Sequence, residues 1–311
     1  QVAFLWGPRQ VGKSTLLQQQ FPKAKFYDLL NTEKKTQFLL EPSRLRQEIL
    51  SQKPRQVVLD EIQKVPALLD EVHWCVENTA TQFILCGSSA RKLKRGAANL
   101  LGGRAWRFEL FPLTSQELRK DFDLLRALNH GLLPHHYLMD RPERSLSAYV
   151  LDYLAEEIQA EALVRNVPSF ARFLQAATLT HGHLLNYANV ARDCGVSPKT
   201  VREYYQILED TLLGHSLEPW RRSRQRRLIE TSKFYFFDVG LVRALTGMRK
   251  IQEGTEEFGR QFEHFLIEEI RAYLSYREIH LPLSFWRTST QLEVDLIVGD
   301  MESAIEFKSC E

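Results

Sequence analysis

The chain reads as an α/β fold: a parallel sheet built around a glycine loop, followed by helical and mixed segments. Three observations carry this reading. Residues 7 to 14, Gly7-Pro8-Arg9-Gln10-Val11-Gly12-Lys13-Ser14, fit G-x-x-x-x-G-K-[ST] without a gap. The apolar run Val2-Ala3-Phe4-Leu5-Trp6 precedes the loop, and Thr15-Leu16-Leu17 opens a helix after it. Strand and helix signals then alternate through the first third, which predicts parallel strands covered by helices.

Strand, loop and helix together make this a P-loop. Its glycines let the backbone of residues 7 to 15 wrap phosphates, with the N–H groups of all but Pro8 able to turn toward them, and the helix start adds its own free N–H groups. Lys13 is placed to reach the β- and γ-phosphates, and Ser14 to offer a hydroxyl to Mg²⁺. A short strand follows at Lys25-Phe26-Tyr27-Asp28-Leu29, then a helix around Ser43 to Ser51, with Ser43 as its cap. Val57-Val58-Leu59 reads as a buried strand ending in Asp60-Glu61. Its tip lies where ligands sit in an open α/β sheet, so Asp60 is expected to hold Mg²⁺ through water and Glu61 to polarise an attacking water. The next strand, Gln82 to Cys86, ends in Gly87-Ser88-Ser89, whose hydroxyls are candidates to sense the γ-phosphate. Gly102-Gly103-Arg104 leads into the strand Ala105 to Leu110, and Arg104, or Arg91, is placed to reach a phosphate of its own or a neighbouring subunit.

Residues 115 to about 178 read as a helical connector, in which Leu118, Phe122, Leu125 and Leu128 recur at helical spacing. His135-His136 and His181-x-His183 read as exposed or capping histidines. Tyr187 to Asp193, the turn Cys194-Gly195-Val196, the cap Ser197-Pro198 and a helix from Lys199 to Leu212 follow helix-turn-helix grammar. Lys199, Thr200, Arg202 and Glu203 lie at the start of the second helix, the part that meets base edges in a major groove. Five arginines in seven residues, Arg221, Arg222, Arg224, Arg226 and Arg227, would sit on a wing hairpin and meet DNA phosphates. Lys233 to Leu241 closes the unit as a strand and turn.

In the last sixty residues, Glu263 lies on a helix, Leu292 to Val298 reads as a strand, and Ala304 to Lys308 as the next. Glu306 and Lys308 share one strand face. Asp295 facing Glu306-x-Lys308 is the PD-(D/E)xK arrangement of restriction-endonuclease-like folds. Asp295 and Glu306 would bind Mg²⁺, with Glu263 completing the cluster and Lys308 steadying developing charge.

The P-loop, the Leu-Asp-Glu-Ile-Gln around Asp60, Gly87-Ser88-Ser89, and Gly103-Arg104 through Pro112-Leu113-Thr114 resemble a group of prokaryotic AAA-type ATPases. That group is related to the archaeal STAND-like ATPases and carries a C-terminal domain of unknown function. Gly131-Leu132-Leu133-Pro134, Tyr149 to Leu154 and Lys233 to Leu241 extend the resemblance over nearly the whole chain. It implies a five-stranded core in the order 5-1-4-3-2 and a protein that uses ATP with Mg²⁺. The domains expected are a core over 1–114, a connector over 115–178, a winged helix-turn-helix over 179–248 and an incomplete nuclease-like domain over 249–311.

Composition bounds the rest. Of 311 residues, 44% are hydrophobic, enough for ordinary cores. A net charge of +2 gives no global field for nucleic acid, so such a partner must meet a local patch. Cys75, Cys86, Cys194 and Cys310 form no C-x-x-C pair, which argues against structural zinc and fits a reducing, cytoplasmic setting. No apolar run reaches membrane-spanning length. The first residue lies at the first strand and the last just after another, so further sequence is expected at both ends. The resulting expectation is a nucleotide-driven switch or motor acting on DNA, able to self-associate. The alternatives are an ATP-gated metal-dependent nuclease and a signalling ATPase whose C-terminal part binds proteins.

Overall fold

In the computed structural model, residues 1–88, 105–140, 142, 146, 149, 167–221, 231–247, 250–288 and 292–308 are described. They fall into two units, Gln1–Phe111 with Asp210–Leu212, and Pro112–Glu209 with Leu213–Glu311.

The first unit runs β1 (Val2–Trp6), α1 (Lys13–Gln20), β2 (Lys25–Asp28), α2 (Thr32–Leu40), α3 (Arg44–Gln52), β3 (Gln56–Asp60), α4 (Leu68–Asn78), β4 (Gln82–Gly87) and β5 (Ala105–Glu109). All pairings are parallel, in the order β2-β3-β4-β1-β5. This is the order 5-1-4-3-2 that the resemblance implied.

The central strands β1, β3 and β4 are largely apolar because both faces are covered, while the edge strands β2 and β5 carry Lys25, Asp28, Arg107 and Glu109. Val57, Leu59, Phe83 and Leu85 point to one face, with Phe38 of α2, Leu45 and Ile49 of α3 and Val72 of α4. Val58, Ile84 and Cys86 point to the other, with Leu17 of α1. Each such side chain, fully buried, contributes about 1.5–3 kcal/mol. No helix is expected at α2 from the sequence; its start is marked by Asn31 Oδ1 accepting from Lys34 N at 3.1 Å. Ser43 precedes α3 but does not cap it; its hydroxyl bonds Glu41 instead.

The second unit begins with α5 (Ser115–Leu118), α6 (Leu124–His130), α7 (Pro134–Leu138), α8 (Val167–Leu179), α9 (Tyr187–Cys194) and α10 (Pro198–Asp210). The helical spacing of Leu118, Phe122, Leu125 and Leu128 does not make one helix. Thr114 and Glu117 form a capping box on α5, and Asp123 caps α6 through Arg126 N at 2.7 Å, so two short helices pack into one cluster. Then come β6 (Gly214–Pro219), β7 (Lys233–Phe236), α11 (Val239–Thr246), α12 (Glu256–Tyr276), β8 (Leu283–Arg287), β9 (Glu293–Val298) and β10 (Ser303–Ile305). One mixed sheet, β10-β9-β8-β6-β7, joins the β6–β7 hairpin to the last three strands. Segments 179–248 and 249–311 therefore share a sheet.

After β7 the chain forms a helix, not a turn. Asp238 caps α11 through Gly240 N (2.9 Å) and binds Leu132 N (2.7 Å). Burial raises its carboxyl to about 6, against the backbone N–H bonds that pull it down.

His181, His215 and His264 pack around Tyr235. His181 is thus a core residue, neither exposed nor capping. Burial holds all three imidazoles below their ordinary range, with His264 at about 3. The unfolded chain takes up these protons near pH 6.5, as free histidines do. Stability is therefore lost as pH falls below about 6.5, with the His264 share lost down to about 3. Asp238 has the opposite sign: raised from 3.8 to about 6, its contribution is present below the lower value and lost through the upper one. One carboxylate does not balance three histidines. In urea unfolding of the full chain, the second-unit transition is expected at lower urea near about pH 5 than near about pH 7.5. Equal midpoints would contradict this account of the core.

Candidate functional site

The loop between β1 and α1 is shaped by its glycines. A Cβ on Gly7 would stand 2.5 Å from the backbone oxygen of Leu110, a contact that cannot relax without moving β5's exit. Gly12 has φ 93° and Gln10 φ 64°, both in the left-handed region. Lys13, the first residue of α1, is buried under the loop. Its Nζ donates to Gly7 O (2.8 Å) and Pro8 O (2.7 Å). Burial lowers its pKa, while Cys86, Glu61 and Asp60 favour the charged form. The carbonyl bonds fold the ammonium back against the loop it would otherwise lean out of.

Ser14 Oγ donates to Asp60 Oδ2 at 2.5 Å. Asp60 ends β3 and is 3% exposed, and its Oδ1 has no hydrogen-bond partner among the described residues. A buried carboxylate oxygen left bare is costly, and a hard cation shared with the serine hydroxyl resolves it. The donor set therefore fits Mg²⁺, with Ser14 and Asp60 as the holders.

Glu61 leaves the strand through a left-handed residue, φ 58°. That geometry costs a bulky residue about 1–3 kcal/mol and turns the carboxylate across the strand tips. Ser88 Oγ, at the end of β4, donates to Glu61 Oε2 at 3.2 Å. Gln63 Nε2 donates to the same oxygen and lies 3.1 Å from Ser88 Oγ. Glu61, Gln63 and Ser88 are all buried. Glu61 and Ser88 are the residues expected here from the sequence; Gln63 is an addition from the structure. Only the left-handed turn at Glu61 folds an amide two residues on back against it. Ser89, Arg91 and Arg104 lie outside the described residues.

In the second unit, α9 ends at Gly195 in the left-handed region, and Ser197 Oγ accepts from Thr200 N at 3.1 Å, capping α10. Lys199 and Arg202 are exposed on the first turns of α10, with Thr200 partly covered. Arg202 lies over the Tyr187 ring at 5.0 Å. Arg221 follows β6 and is partly exposed; Arg222, Arg224, Arg226 and Arg227 lie outside the described residues.

Asp295, Glu306 and Glu263 line one cavity of about 520 Å³, together with His183, Lys233 and Tyr235. Lys233 is buried, with Nζ 2.7 Å from Glu293 Oε1 and 3.5 Å from Glu263 Oε1. Tyr235 donates to Glu263 Oε1 at 2.7 Å. Asp295 Oδ2 accepts from Phe307 N at 2.8 Å. Lys308 is exposed and pairs with Glu306 at 3.4 Å. Among the described residues no group of three or more His, Cys, Asp or Glu side chains is placed to hold a metal ion. Glu263 Oε1 faces both an ammonium and a phenol, and Asp295 Oδ2 takes a backbone N–H.

Three family models match the chain: an AAA domain over residues 1–119, a domain of unknown function (DUF8612) over 121–252, and a domain of unknown function (DUF4143) over 258–311. Uncharacterized proteins of Mycobacterium bovis and Mycobacterium tuberculosis are each 29% identical over 309 residues, covering 96% of this chain and 67% of the relative. A solved structure of the Aeropyrum pernix ORC1 protein in complex with DNA aligns with a TM-score of 0.36 and 13% identity, over 79% of this chain and 86% of that one. The AAA match spans the whole parallel sheet and the P-loop, and it supports an ATPase domain of AAA type for this part of the chain. No helix among the described residues is long and apolar enough to cross a membrane.

Proposed function

We propose, from the AAA-type P-loop domain of residues 1–119, that the chain hydrolyses ATP with Mg²⁺ and uses the nucleotide state to act on DNA. One observation carries the first half: Ser14, Asp60 with its bare Oδ1, Lys13 and Glu61 meet at the tips of β1 and β3, on either side of β4. Loop N–H groups cradle the phosphates. Lys13 exchanges its two carbonyl partners for phosphate oxygens and neutralises charge on them. Ser14 and Asp60 hold Mg²⁺, which when bound neutralises charge on the phosphate oxygens. Glu61 takes a proton from water as the new oxygen–phosphorus bond forms and the bond to the bridging oxygen of ADP breaks. Steady-state turnover with and without Mg²⁺ tests this half, and turnover independent of Mg²⁺ would overturn it.

The capped α10 with Lys199, Thr200 and Arg202 at its exposed start, and the arginine run from Arg221, support the DNA half as a winged helix-turn-helix reading. Replacing Lys199, Arg202 and Arg221 with alanine is expected to weaken DNA binding. The log–log salt slope should shrink by about 0.9 for each phosphate that is no longer neutralised. Unchanged affinity and slope would assign this face to protein contacts instead.

A further inference from the structure

We infer that Gln63 is a positioning residue for ATP hydrolysis: it holds the Glu61 carboxylate and the β4 tip in one hydrogen-bonded triangle. The inference rests on the reading of Glu61 as the base that takes water's proton. Gln63 is 2% exposed and sits on the short helical turn that follows β3. Its Nε2 donates to Glu61 Oε2 and also lies within hydrogen-bond distance of Ser88 Oγ, 3.1 Å. Ser88 Oγ in turn donates to Glu61 Oε2 at 3.2 Å, closing the triangle. Both bonds fall on Oε2, so the carboxylate is fixed by one oxygen and Oε1 is left to meet the water. A glutamate side chain has three torsions to fix, and a single serine bond leaves it free to swing.

Position 87 is built for this amide. A Cβ on Gly87 would overlap Gln63 Oε1 and come within 3.0 Å of the Trp6 ring. Gln63 Oε1 itself is buried with no hydrogen-bond partner among the described residues. An amide that leaves its acceptor bare in the core is held there for its donor, because an apolar side chain of the same length would avoid that cost. The chain thus keeps a buried glutamine at a thermodynamic penalty, at the one point where it touches both Glu61 and Ser88.

The test is a double-mutant cycle on ATP turnover in the full chain. Gln63→Met keeps the length and removes the donor. It is expected to lower kcat by about 10-fold or more while KM and nucleotide affinity stay unchanged, since misplacement of a catalytic group slows chemistry without touching the phosphates. In a Glu61→Gln background the same change is expected to have no further effect, because Gln63 acts through Glu61. A merely structural lesion would lower both rates. Gly87→Ala displaces the Gln63 amide without replacing it and is expected to lower kcat in the same direction, which keeps the test open if Gln63→Met folds poorly. Unchanged kcat in both variants, with Glu61→Gln inactive, overturns the inference and leaves the role of Glu61 standing. Undiminished turnover in Glu61→Gln overturns that role first, and the inference with it.

Discussion

Glu61→Gln is expected to lower ATP turnover by about 10²- to 10⁴-fold, the range set by losing a general base, and to leave nucleotide affinity unchanged. The substitution keeps the side-chain volume and one acceptor for Ser88 and Gln63. It does not touch Ser14, Asp60 or Lys13, which hold Mg²⁺ and phosphate in this account. The left-handed backbone at Glu61 is as accessible to glutamine as to glutamate, so β3's exit is preserved. Single-turnover hydrolysis with saturating nucleotide separates the chemical step from binding. A wild-type rate in that experiment would move the base to another residue.

Lys13→Ala is expected to weaken ATP binding by about 10²- to 10⁴-fold. Its ammonium makes two bonds in the resting loop, to Gly7 O and Pro8 O, and is expected to make as many to phosphate. Charged hydrogen bonds contribute about 1.5–3 kcal/mol each, and two of them account for the range. Lys13→Arg is not expected to rescue, because a planar guanidinium does not fit a buried position built for a point charge. Calorimetric titration with ATP and Mg²⁺ checks both variants; equal affinity for wild type and Lys13→Ala would contradict the loop's assignment.

The parts of the site that were legible in the sequence are those fixed by local spacing. Gly7, Gly12, Lys13 and Ser14 lie within one loop and one helix turn. Asp60 and Glu61 follow an apolar run whose two-sided burial is written in its composition. The meeting of Ser14 with Asp60 needed only the strand order. Gln63 was not legible, because its contact with Glu61 depends on a left-handed residue that no period or propensity signals. The break within the helical stretch 115–130 was not legible because its apolar spacing serves a common cluster while Thr114 and Asp123 cap two separate pieces. The cavity residues Glu263, Asp295 and Glu306 come from a helix, β9 and the segment just past β10. The ammonium among the carboxylates comes from Lys233, distant in sequence and invisible to a strand-by-strand reading.

Phosphates and Mg²⁺ are expected to meet at the tips of β1 and β3. A crystal structure of the chain with Mg²⁺ and a non-hydrolysable ATP analogue tests it most directly. The expected result is phosphates against the loop of residues 7 to 14, Lys13 Nζ released from Gly7 O and Pro8 O, and the cation beside Ser14 Oγ and Asp60 Oδ1. An analogue bound elsewhere, or bound with Lys13 still on its two carbonyls and Asp60 Oδ1 still bare, would contradict it.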